Sequence, residues 1–319
     1  MSRRECANLD CRTLISDNAN NRTRRCAKCV RLKHWNLDTC ENDDVVKNLI
    51  ADNKNRNWKK EPLQVLSFGG GVQSSAMLIM IKNGVLPRPD LVVHSDTGSE
   101  MPHTEKVLEW ARLLCIALKL PYATVMSHRG RLHEDYLSTG TMPMVRHRSC
   151  TFNFKVQTQR KFFRRIVGKG NGKVMVQCWL GITTDEKQRR ISVHDADVKW
   201  TGSTYPLLDM KPTSRRECEN YIAKENLEFT IQKSGCFCCP YAKPQHFAKL
   251  YREHPDLFAI CVEMEEQFNA RWSKEGFGEK SLSPNLKSLK SVAMPSLENW
   301  GFEFELNPEN ECSSGHCFY

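Results

Sequence analysis

The 319-residue sequence predicts an α/β fold, in which helices cover both faces of a parallel sheet. Two observations support this prediction. Short apolar runs of strand length alternate, over residues 63–182, with longer segments whose apolar residues recur at helical spacing. The first apolar run also ends in three consecutive glycines, which places a tight turn between a strand and a helix. Alternation of this kind gives parallel strands, because each helix returns the chain to the same end of the sheet.

The elements follow from these patterns in chain order. Strands are predicted at 63–68, 89–96, 121–127 and 173–182, where β-branched and other apolar residues cluster. Helices are predicted at 74–83, 103–120 and 155–167, and two more surround a cysteine-rich stretch after Pro206, one of them at 242–253. The helix at 103–120 is strongly amphipathic, with one apolar side formed by Val107, Leu108, Ala111, Leu114 and Leu118.

Composition shifts divide the chain into four regions. We predict a zinc-ribbon-like module at 1–45, a linker at 46–62, an α/β nucleotide-binding domain at 63–205 and a Cys-rich helical region at 206–319. The chain lacks both an apolar run of membrane-spanning length and a signal peptide at its N-terminus, so we expect a cytoplasmic protein without a membrane partner.

The net charge of +10 is concentrated near the N-terminus. Residues 1–60 carry 14 Lys and Arg against 8 Asp and Glu, a net +6. An excess of this size suggests a polyanionic partner, first of all nucleic acid, although a solvated basic face would look the same. The basic helix at 155–167 carries Arg160, Lys161, Arg164 and Arg165, which could receive phosphates or simply face solvent while Phe162 or Phe163 points inward.

The N-terminal cysteines have the spacing of a metal site. Cys6 and Cys11 form one pair, Cys26 and Cys29 form a second, and 14 residues separate the pairs. This pattern predicts a Zn²⁺ ribbon, since a segment so poor in large apolar residues needs a metal to fold. The ribbon could contact nucleic acid, or it could be a purely structural cap.

The glycine-rich turn predicts an anion site. Glycines let the backbone approach a ligand closely, and the helix that follows offers unpaired N–H groups. A plain turn between strand and helix would also use glycine, so neighbouring strand ends matter. The candidate nucleotide-binding residues of the turn are Ser67, Phe68, Gly69, Gly70, Gly71, Gln73, Ser74 and Ser75.

Polar residues follow two further strands at the edge where such ligands bind. Asp96 ends the second strand, and Thr97 and Glu100 follow it. The fourth strand contains Gly181 near its end and is followed by carboxylates and cations, and the candidates there are Gly181, Asp185, Glu186 and Arg190.

These motifs, in this order, resemble the phosphoadenosine phosphosulfate (PAPS) reductase family of the PP-loop, or adenine nucleotide alpha hydrolase, superfamily. The matching stretches are the glycine turn, "HSDTGSEMPHT", "RSCTFNFK", "LGITTDEKQRR", "YPLLD" and "SGCFCCPY", over about residues 63–250. The resemblance is closest to members from phages and mobile elements. It implies that the residues above bind an adenosine nucleotide. Gly69 and Gln73 depart from the Ser and Asp of ATP-splitting members, so the bound nucleotide could be either ATP with Mg²⁺ or PAPS.

The C-x-x-C at Cys236 and Cys239 suits zinc or an iron–sulfur cluster by its spacing. The resemblance adds Cys150 as a third thiolate and favours a [4Fe-4S] cluster, with a structural zinc site or a redox dithiol as alternatives. Candidates for a fourth ligand are Cys238, Cys312 and Cys317. The tail around Cys312 also resembles the end of sulfonucleotide reductases, which implies a nucleophile.

Three functions remain open at this stage. The favoured one is an ATP-dependent enzyme that adenylates a group of tRNA or DNA, releases pyrophosphate and inserts sulfur, with a donor such as a cysteine desulfurase. The second is a PAPS or APS reductase that forms sulfite with a thioredoxin-type reductant. The third is a non-catalytic nucleotide-binding regulator or DNA-binding co-activator. The candidate catalytic residues are Cys150, Cys312 and Asp185.

Overall fold

The computed structural model describes residues 3–5, 14–16, 39–145, 148–169, 173–190, 200–272, 276 and 278–293. Six of the predicted metal or catalytic cysteines lie outside this range. They are Cys6, Cys11, Cys26, Cys29, Cys312 and Cys317. The zinc-ribbon prediction and the proposals for the tail therefore stay predictions.

The described part of the chain forms two sheets. Strands β1 (Arg3–Glu5) and β2 (Leu14–Ser16) pair antiparallel. The central sheet consists of parallel strands in the order β5-β4-β3-β6-β7. They are β3 (Leu63–Ser67), β4 (Leu91–Asp96), β5 (Tyr122–Met126), β6 (Val176–Trp179) and β7 (Thr201–Thr204). The predicted parallel α/β architecture is confirmed, with β7 as a strand that the sequence did not reveal.

The strand order reverses direction at β3. The chain runs from β3 outward to β4 and β5, and then returns to place β6 on the other side of β3. The two connections therefore leave the sheet in opposite directions, which opens a crevice at the carboxyl ends of β3 and β6. Ligands of open parallel sheets bind at this position.

Helices cover both faces of the sheet, as predicted. In chain order they are α1 (Thr39–Asp52), α2 (Val72–Lys82), α3 (Pro102–Ala117), α4 (Leu132–Thr139), α5 (Ser149–Thr151), α6 (Gln157–Val167), α7 (Pro206–Asp209), α8 (Arg215–Ala223), α9 (Pro244–Glu253) and α10 (Pro255–Trp272). A π-helical turn (Phe152–Val156) joins α5 to α6, and 3-10 turns occupy Thr184–Arg190 and Leu289–Ala293.

Two apolar clusters hold the helices to the sheet. On one face α2, α3 and α8 pack together, and the cluster includes Met77, Val107, Ala111 and Cys218. On the other face α1 and α6 pack, with Val46, Leu49, Phe162 and Phe163 buried against the strands. Both phenylalanines of the basic helix thus point inward. Burial raises the pKa of the Cys115 and Cys218 thiols to about 12, as expected for packed core thiols.

A third cluster lies beside the sheet and carries the cysteine-rich segment. Helices α4, α9 and α10 surround Phe154, Phe237 and Phe247, and the thiols of Cys238 and Cys261 are buried among them. Segment 235–237 also pairs with the chain that leaves β4, because Met101 N–H donates to Gly235 O and Phe237 N–H donates to Ser99 O. The cysteine-rich segment is therefore fixed next to the carboxyl end of the sheet.

A buried carboxylate anchors the last described segment to α10. Glu265 is 3% exposed and accepts hydrogen bonds from Leu282 N–H, Leu289 N–H and Ser281 Oγ at 2.8–2.9 Å. Replacing Glu265 with alanine leaves two buried N–H groups without their acceptor. We expect the free energy of unfolding to fall by about 2–5 kcal/mol, measured by urea denaturation. Glu263→Ala, on the exposed side of the same helix, is the control, and an equal loss in both variants would contradict the anchoring role.

Among the described residues, no helix combines the length and the apolar character that crossing a membrane requires.

Candidate functional site

The turn after β3 can be built only with glycine at its tightest points. Gly70 has a φ of +72°, and a Cβ there would lie 2.8 Å from Thr104 Cγ2. At Gly71 a Cβ would lie 2.9 Å from Ser234 Oγ, in the cysteine-rich segment. Two other parts of the chain therefore press against the glycine turn, and its backbone is held rather than free.

The turn delivers the chain into the N-terminus of α2. Gly71 is the N-cap residue and has no side chain with which to bond the first helical N–H groups. Ser74 Oγ, which could serve as such a partner, instead donates to Gly71 O at 3.2 Å. The helix N-terminus thus keeps N–H groups for an anion, and its dipole favours negative charge there.

A cleft opens beside this turn, at the carboxyl ends of β3, β4 and β6. It contains about 480 Å³ of free space, part of it continuous with solvent. Its lining is mostly polar or glycine, as an anionic ligand requires. The lining residues are Ser67, Phe68, Gly69, Ser74, His94, Ser95, Lys155, Gln159, Leu180, Gly181 and Ser234.

Several buried polar atoms in or near the cleft have no hydrogen-bond partner in the described part of the chain. Ser95 Oγ and His94 Nε2 are both buried and both belong to residues of the lining, while His94 Nδ1 bonds to Phe68 O at 2.9 Å. Ser75 Oγ and Thr183 Oγ1 are likewise buried without a partner among the described residues. Such atoms cost free energy unless a ligand or water satisfies them, so the cleft is suited to a polar ligand.

The structure brings five of the predicted nucleotide-binding residues into the lining. They are Ser67, Phe68, Gly69, Ser74 and Gly181. Gly181 also packs against α2, since a Cβ there would lie 2.9 Å from Gln73 Cβ and 3.3 Å from Ser74 N. Gly70, Gly71 and Ser75 are not among the lining residues, but they form the turn and the start of α2.

Two further predicted residues, Gln73 and Glu186, contact each other next to the cleft. Gln73 Nε2 is 3.5 Å from Glu186 Oε2, and Arg189 Nη1 donates to the same oxygen at 2.6 Å. Arg189 is buried, although the sequence singled out its neighbour Arg190. This network links the helix that follows the glycine turn to the segment that follows β6.

Two other predicted residues lie on the exposed surface, outside the cleft lining. Asp185 accepts a hydrogen bond at 2.6 Å from Arg215 N–H, at the start of α8, so its visible role is to cap a helix. Arg190 pairs with Asp209 at 2.7 Å, and its guanidinium lies over the Tyr205 ring. Their predicted roles in catalysis and nucleotide binding stay predictions.

The residues after β4 face the cysteine-rich segment. Asp96 Oδ1 accepts from Gly98 N–H at 2.6 Å and so shapes the turn. Thr97 Oγ1 lies 3.1 Å from Glu100 Oε1 and 3.3 Å from Cys236 Sγ, and Cys236 Sγ is 3.9 Å from Glu100 Oε1. Thr97 and Glu100 therefore contact a cysteine, whereas the sequence predicted that they line the nucleotide pocket.

Cysteines 150, 236, 238 and 239 line a second cavity of about 490 Å³, together with Thr151, Lys155 and Tyr241. Cys150 comes from α5, and the other three cysteines come from the turn in which Cys239 N–H donates to Cys236 O. Residues more than 80 positions apart in sequence thus meet around one space, as the sequence analysis required of Cys150, Cys236 and Cys239. Cys238 is fully buried beneath them.

The donor set of this second cavity, here called the cysteine cavity, fits a soft metal centre in chemical type. Thiols are the ligands that zinc and iron–sulfur clusters prefer. Burial, reinforced by Glu100, raises the pKa of the Cys236 thiol, and burial raises that of Cys238 as well. Within the described ranges, however, no three His, Cys, Asp or Glu side chains already converge closely enough to hold a metal ion. The ligand assignment therefore stays a prediction.

One side chain that the sequence analysis did not single out reaches both cavities. Lys155 lines the nucleotide cleft and the cysteine cavity, and its Nζ is 3.6 Å from Glu100 Oε1. Gln159 lies four residues later on the same helical face, where it lines the cleft and donates to Ser67 Oγ at 3.0 Å. No local pattern singled out either residue, because what distinguishes them is which cavity they reach once the segments have folded.

Comparison with known proteins places the chain only loosely. No family model matches it. An uncharacterised protein of Methanocaldococcus jannaschii is 22% identical over 265 residues, which cover 80% of this chain and 59% of the relative. The chain thus spans less than two thirds of the length of that relative.

Three solved structures are similar at low scores. A PAPS reductase from Candida auris, in a phosphate complex, has 12% identity and a TM-score of 0.36, over 58% of this chain and 87% of its own. The U34-tRNA thiolase NcsA from Methanococcus maripaludis, with its [4Fe-4S] cluster, has 16% identity and a TM-score of 0.36, over 83% and 88%. An NH3-dependent NAD synthetase from Campylobacter jejuni, in complex with nitrate, has 14% identity and a TM-score of 0.30, over 77% and 98%. Scores at this level carry no argument about this chain.

Proposed function

We propose that this chain is a PP-loop enzyme that binds an adenosine nucleotide in the glycine-turn cleft and carries out sulfur chemistry at the cysteine cavity. The favoured reaction begins with ATP and Mg²⁺. An oxygen of a tRNA or DNA group attacks the α-phosphorus, and pyrophosphate leaves. Sulfide-level sulfur then attacks the activated atom of that group, and AMP leaves with the oxygen.

The observation that carries this proposal is the position of Lys155 between the two cavities. Its side chain lines both, so a group activated in the cleft and a sulfur held in the cysteine cavity would lie on either side of one cation. A cation at that place would stabilise negative charge that develops as a group moves between them. Neither a nucleotide cleft alone nor a cysteine site alone would require such an arrangement.

The groups of the cleft divide the work of binding. The N–H groups at the start of α2 would receive phosphate oxygens, and Ser95 Oγ and His94 Nε2 would add hydrogen bonds that no described residue now makes to them. Glu186, which contacts Gln73 beside the cleft, and Asp96, at the end of β4, are carboxylates that could bind Mg²⁺, which prefers oxygen ligands.

Cys150, Cys236 and Cys239 would hold an iron–sulfur cluster, and Cys238, Cys312 and Cys317 are the candidates for a fourth ligand. If only three protein thiolates hold it, a [4Fe-4S] cluster would supply an open iron able to bind sulfide. A zinc site with the same ligands is the alternative, and the nature of the N-terminal metal is a separate proposal.

A second candidate function is supported by one residue. Gln73, in place of the Asp of ATP-splitting enzymes, resembles the loop of sulfonucleotide reductases, and its amide is 3.5 Å from Glu186 Oε2. In that reaction the Cys312 thiolate would attack the sulfur of PAPS or APS, and the nucleotide (adenosine 3′,5′-bisphosphate or AMP) would leave. A thioredoxin-type dithiol would then reduce the resulting S-sulfocysteine and release sulfite. A third candidate, a regulator that binds nucleotide without turnover, uses the same cleft.

Side-by-side titration separates these functions. We expect anaerobically purified protein to bind ATP in the presence of Mg²⁺, as measured by calorimetry, and to release pyrophosphate when a nucleic-acid acceptor is added. Adenosine, which lacks phosphates, is the matched control ligand and should bind weakly, since the glycine turn would receive phosphate oxygens. Binding of PAPS with ATP ignored would instead make the chain a reductase. ATP binding without pyrophosphate release for any acceptor would favour the regulator.

A further inference from the structure

The helical segment that supplies Cys150 and Lys155 is unusually basic. Residues 148–169 contain no Asp or Glu and carry seven cationic side chains. These are Arg148, Lys155, Arg160, Lys161, Arg164, Arg165 and Lys169. A solvated helix face normally mixes charges of both signs, so a segment with one sign only indicates an anionic partner.

Burial sorts the side chains of this segment into two faces. Phe154, Phe162, Phe163 and Ile166 are buried against the protein. The opposite, outward face presents exposed or half-buried cations along α6 and just beyond it. This face, called the basic face below, is formed by Phe152, Arg160, Lys161, Arg164, Arg165 and Lys169.

Contacts at the basic face indicate a positive local potential. Lys161 Nζ is 3.0 Å from His128 Nδ1, and the pKa of His128 is lowered by partial burial and also by Lys161 and Arg129. Arg165 pairs with Asp43, and Arg164 lies over the Trp200 ring at 3.6 Å. Asp43 is one counter-charge on this face.

An exposed aromatic side chain stands at one end of the basic face. Phe152 is 48% exposed, a large fraction for phenylalanine, and it belongs to the wide π-helical turn. The two residues before it in the chain, Cys150 and Thr151, line the cysteine cavity. An exposed apolar ring thus follows the cavity-lining residues directly in the chain, and the cations of α6 come after it.

We propose that the basic face binds single-stranded nucleic acid, whose phosphates follow α6 while Phe152 stacks on an unpaired base beside the cysteine cavity. The proposal rests on the proposed function, because it locates the acceptor of that reaction. Aromatic stacking combined with a cationic track is the general way in which proteins bind unpaired strands. The chain thereby presents one base to Cys150 and Lys155.

Geometry favours an unpaired strand over a duplex. Enzymes that act on a base must take it out of the helical stack, because its reactive atoms are otherwise covered by neighbouring bases. Cys150 and Lys155 line the cysteine cavity rather than the outer surface, so a base could approach them only after it has left the stack. Phe152 can stack on a base only where that base has lost a neighbour.

The first test removes charge from the basic face of the full-length protein. Binding of fluorescent single-stranded RNA and DNA oligonucleotides, and of the matching duplexes, is measured by anisotropy over a range of salt concentrations. Arg160→Ala combined with Lys161→Ala should reduce the salt slope for single strands by about 1.4, since each phosphate contact contributes about 0.7. Lys106→Ala combined with Lys224→Ala removes two exposed charges elsewhere and should leave the slope unchanged.

The second test removes the ring. Phe152→Ala should weaken single-strand binding by about 5- to 150-fold, as loss of one stacked base does, without changing the salt slope. Because Phe152 is exposed, the substitution removes little packing, and a thermal melt equal to that of the wild type is the check that the fold is kept. Duplex binding should be weaker than single-strand binding in the wild type and insensitive to this change.

Two results would overturn the proposal. One is wild-type affinity and salt slope in the Arg160 and Lys161 variant, which would mean that nucleic acid binds elsewhere or not at all. The other is duplex binding as tight as single-strand binding with no effect of Phe152→Ala. ATP binding is measured on the same variants. If ATP still binds and the basic face has no effect on nucleic-acid binding, only this inference is rejected. Wild-type protein that binds no adenosine nucleotide rejects the proposed function instead.

Discussion

Cys236→Ala should lower the iron and acid-labile sulfide content of anaerobically purified protein to the background level. Cys236 lines the cysteine cavity with Cys150 and Cys239, and the C-x-x-C turn places two thiols on one short loop. A cluster or metal held by few protein ligands does not tolerate the loss of one, because the remaining ligands leave further positions open to solvent and exchange. The measurement is elemental analysis with visible absorption spectroscopy.

A matched control separates ligation from general damage. Cys218→Ala makes the same chemical change at a fully buried thiol in the α2–α3–α8 cluster, outside the lining of the cysteine cavity. Its iron and sulfide content should equal that of the wild type. If Cys236→Ala keeps its iron, our ligand assignment is wrong. If the wild-type protein instead holds one equivalent of zinc that is lost in Cys236→Ala, the site is a zinc centre and not an iron–sulfur cluster.

Local patterns were sufficient to predict most of the central sheet and its helices. Strands β3, β4 and β5 and helices α2 and α3 each carry an apolar pattern that is complete within the element. Strand β7 was not predicted because its sequence, Thr-Gly-Ser-Thr, has no apolar residue, and only pairing with β6 makes it a strand. Pairing of this kind is a property of the tertiary structure, so local sequence does not report it.

The candidate site was predictable where it depends on the backbone and not where it depends on packing. The glycine turn and its position at a strand end follow from the sequence, and the cleft lies there. Lys155 and Ser95 gave no such signal, because what distinguishes them is which cavity they reach after the segments fold. Asp185 shows the converse, since an acidic residue after a strand suggested chemistry, whereas in the structure it bonds the N-terminus of α8.

Ser95→Ala should weaken nucleotide binding while leaving the protein at least as stable. Ser95 Oγ is buried, its side chain lines the cleft, and it makes no hydrogen bond to any described residue. A hydrogen bond from this hydroxyl to a charged phosphate oxygen would contribute about 1.5–3 kcal/mol, so its loss should weaken binding by about 10- to 150-fold. Removing an unsatisfied buried hydroxyl should leave the free energy of unfolding unchanged or raise it by about 1 kcal/mol.

Thr201, in the same sheet, provides the control for the two effects expected of Ser95→Ala, which are weaker nucleotide binding and unchanged or higher stability. Thr201 Oγ1 is also buried without a described partner, but Thr201 begins β7, at the end of the strands away from the cleft. Thr201→Val should therefore stabilise the protein to a similar extent, with nucleotide affinity unchanged. If Ser95→Ala is destabilised in urea, the Ser95 hydroxyl has a structural partner. If Ser95→Ala binds ATP and PAPS as tightly as the wild type does, the ligand does not contact this part of the cleft. A fall in affinity without a fall in stability would mean that the unsatisfied hydroxyl is kept for the ligand, because only binding then offsets the free energy that its burial costs.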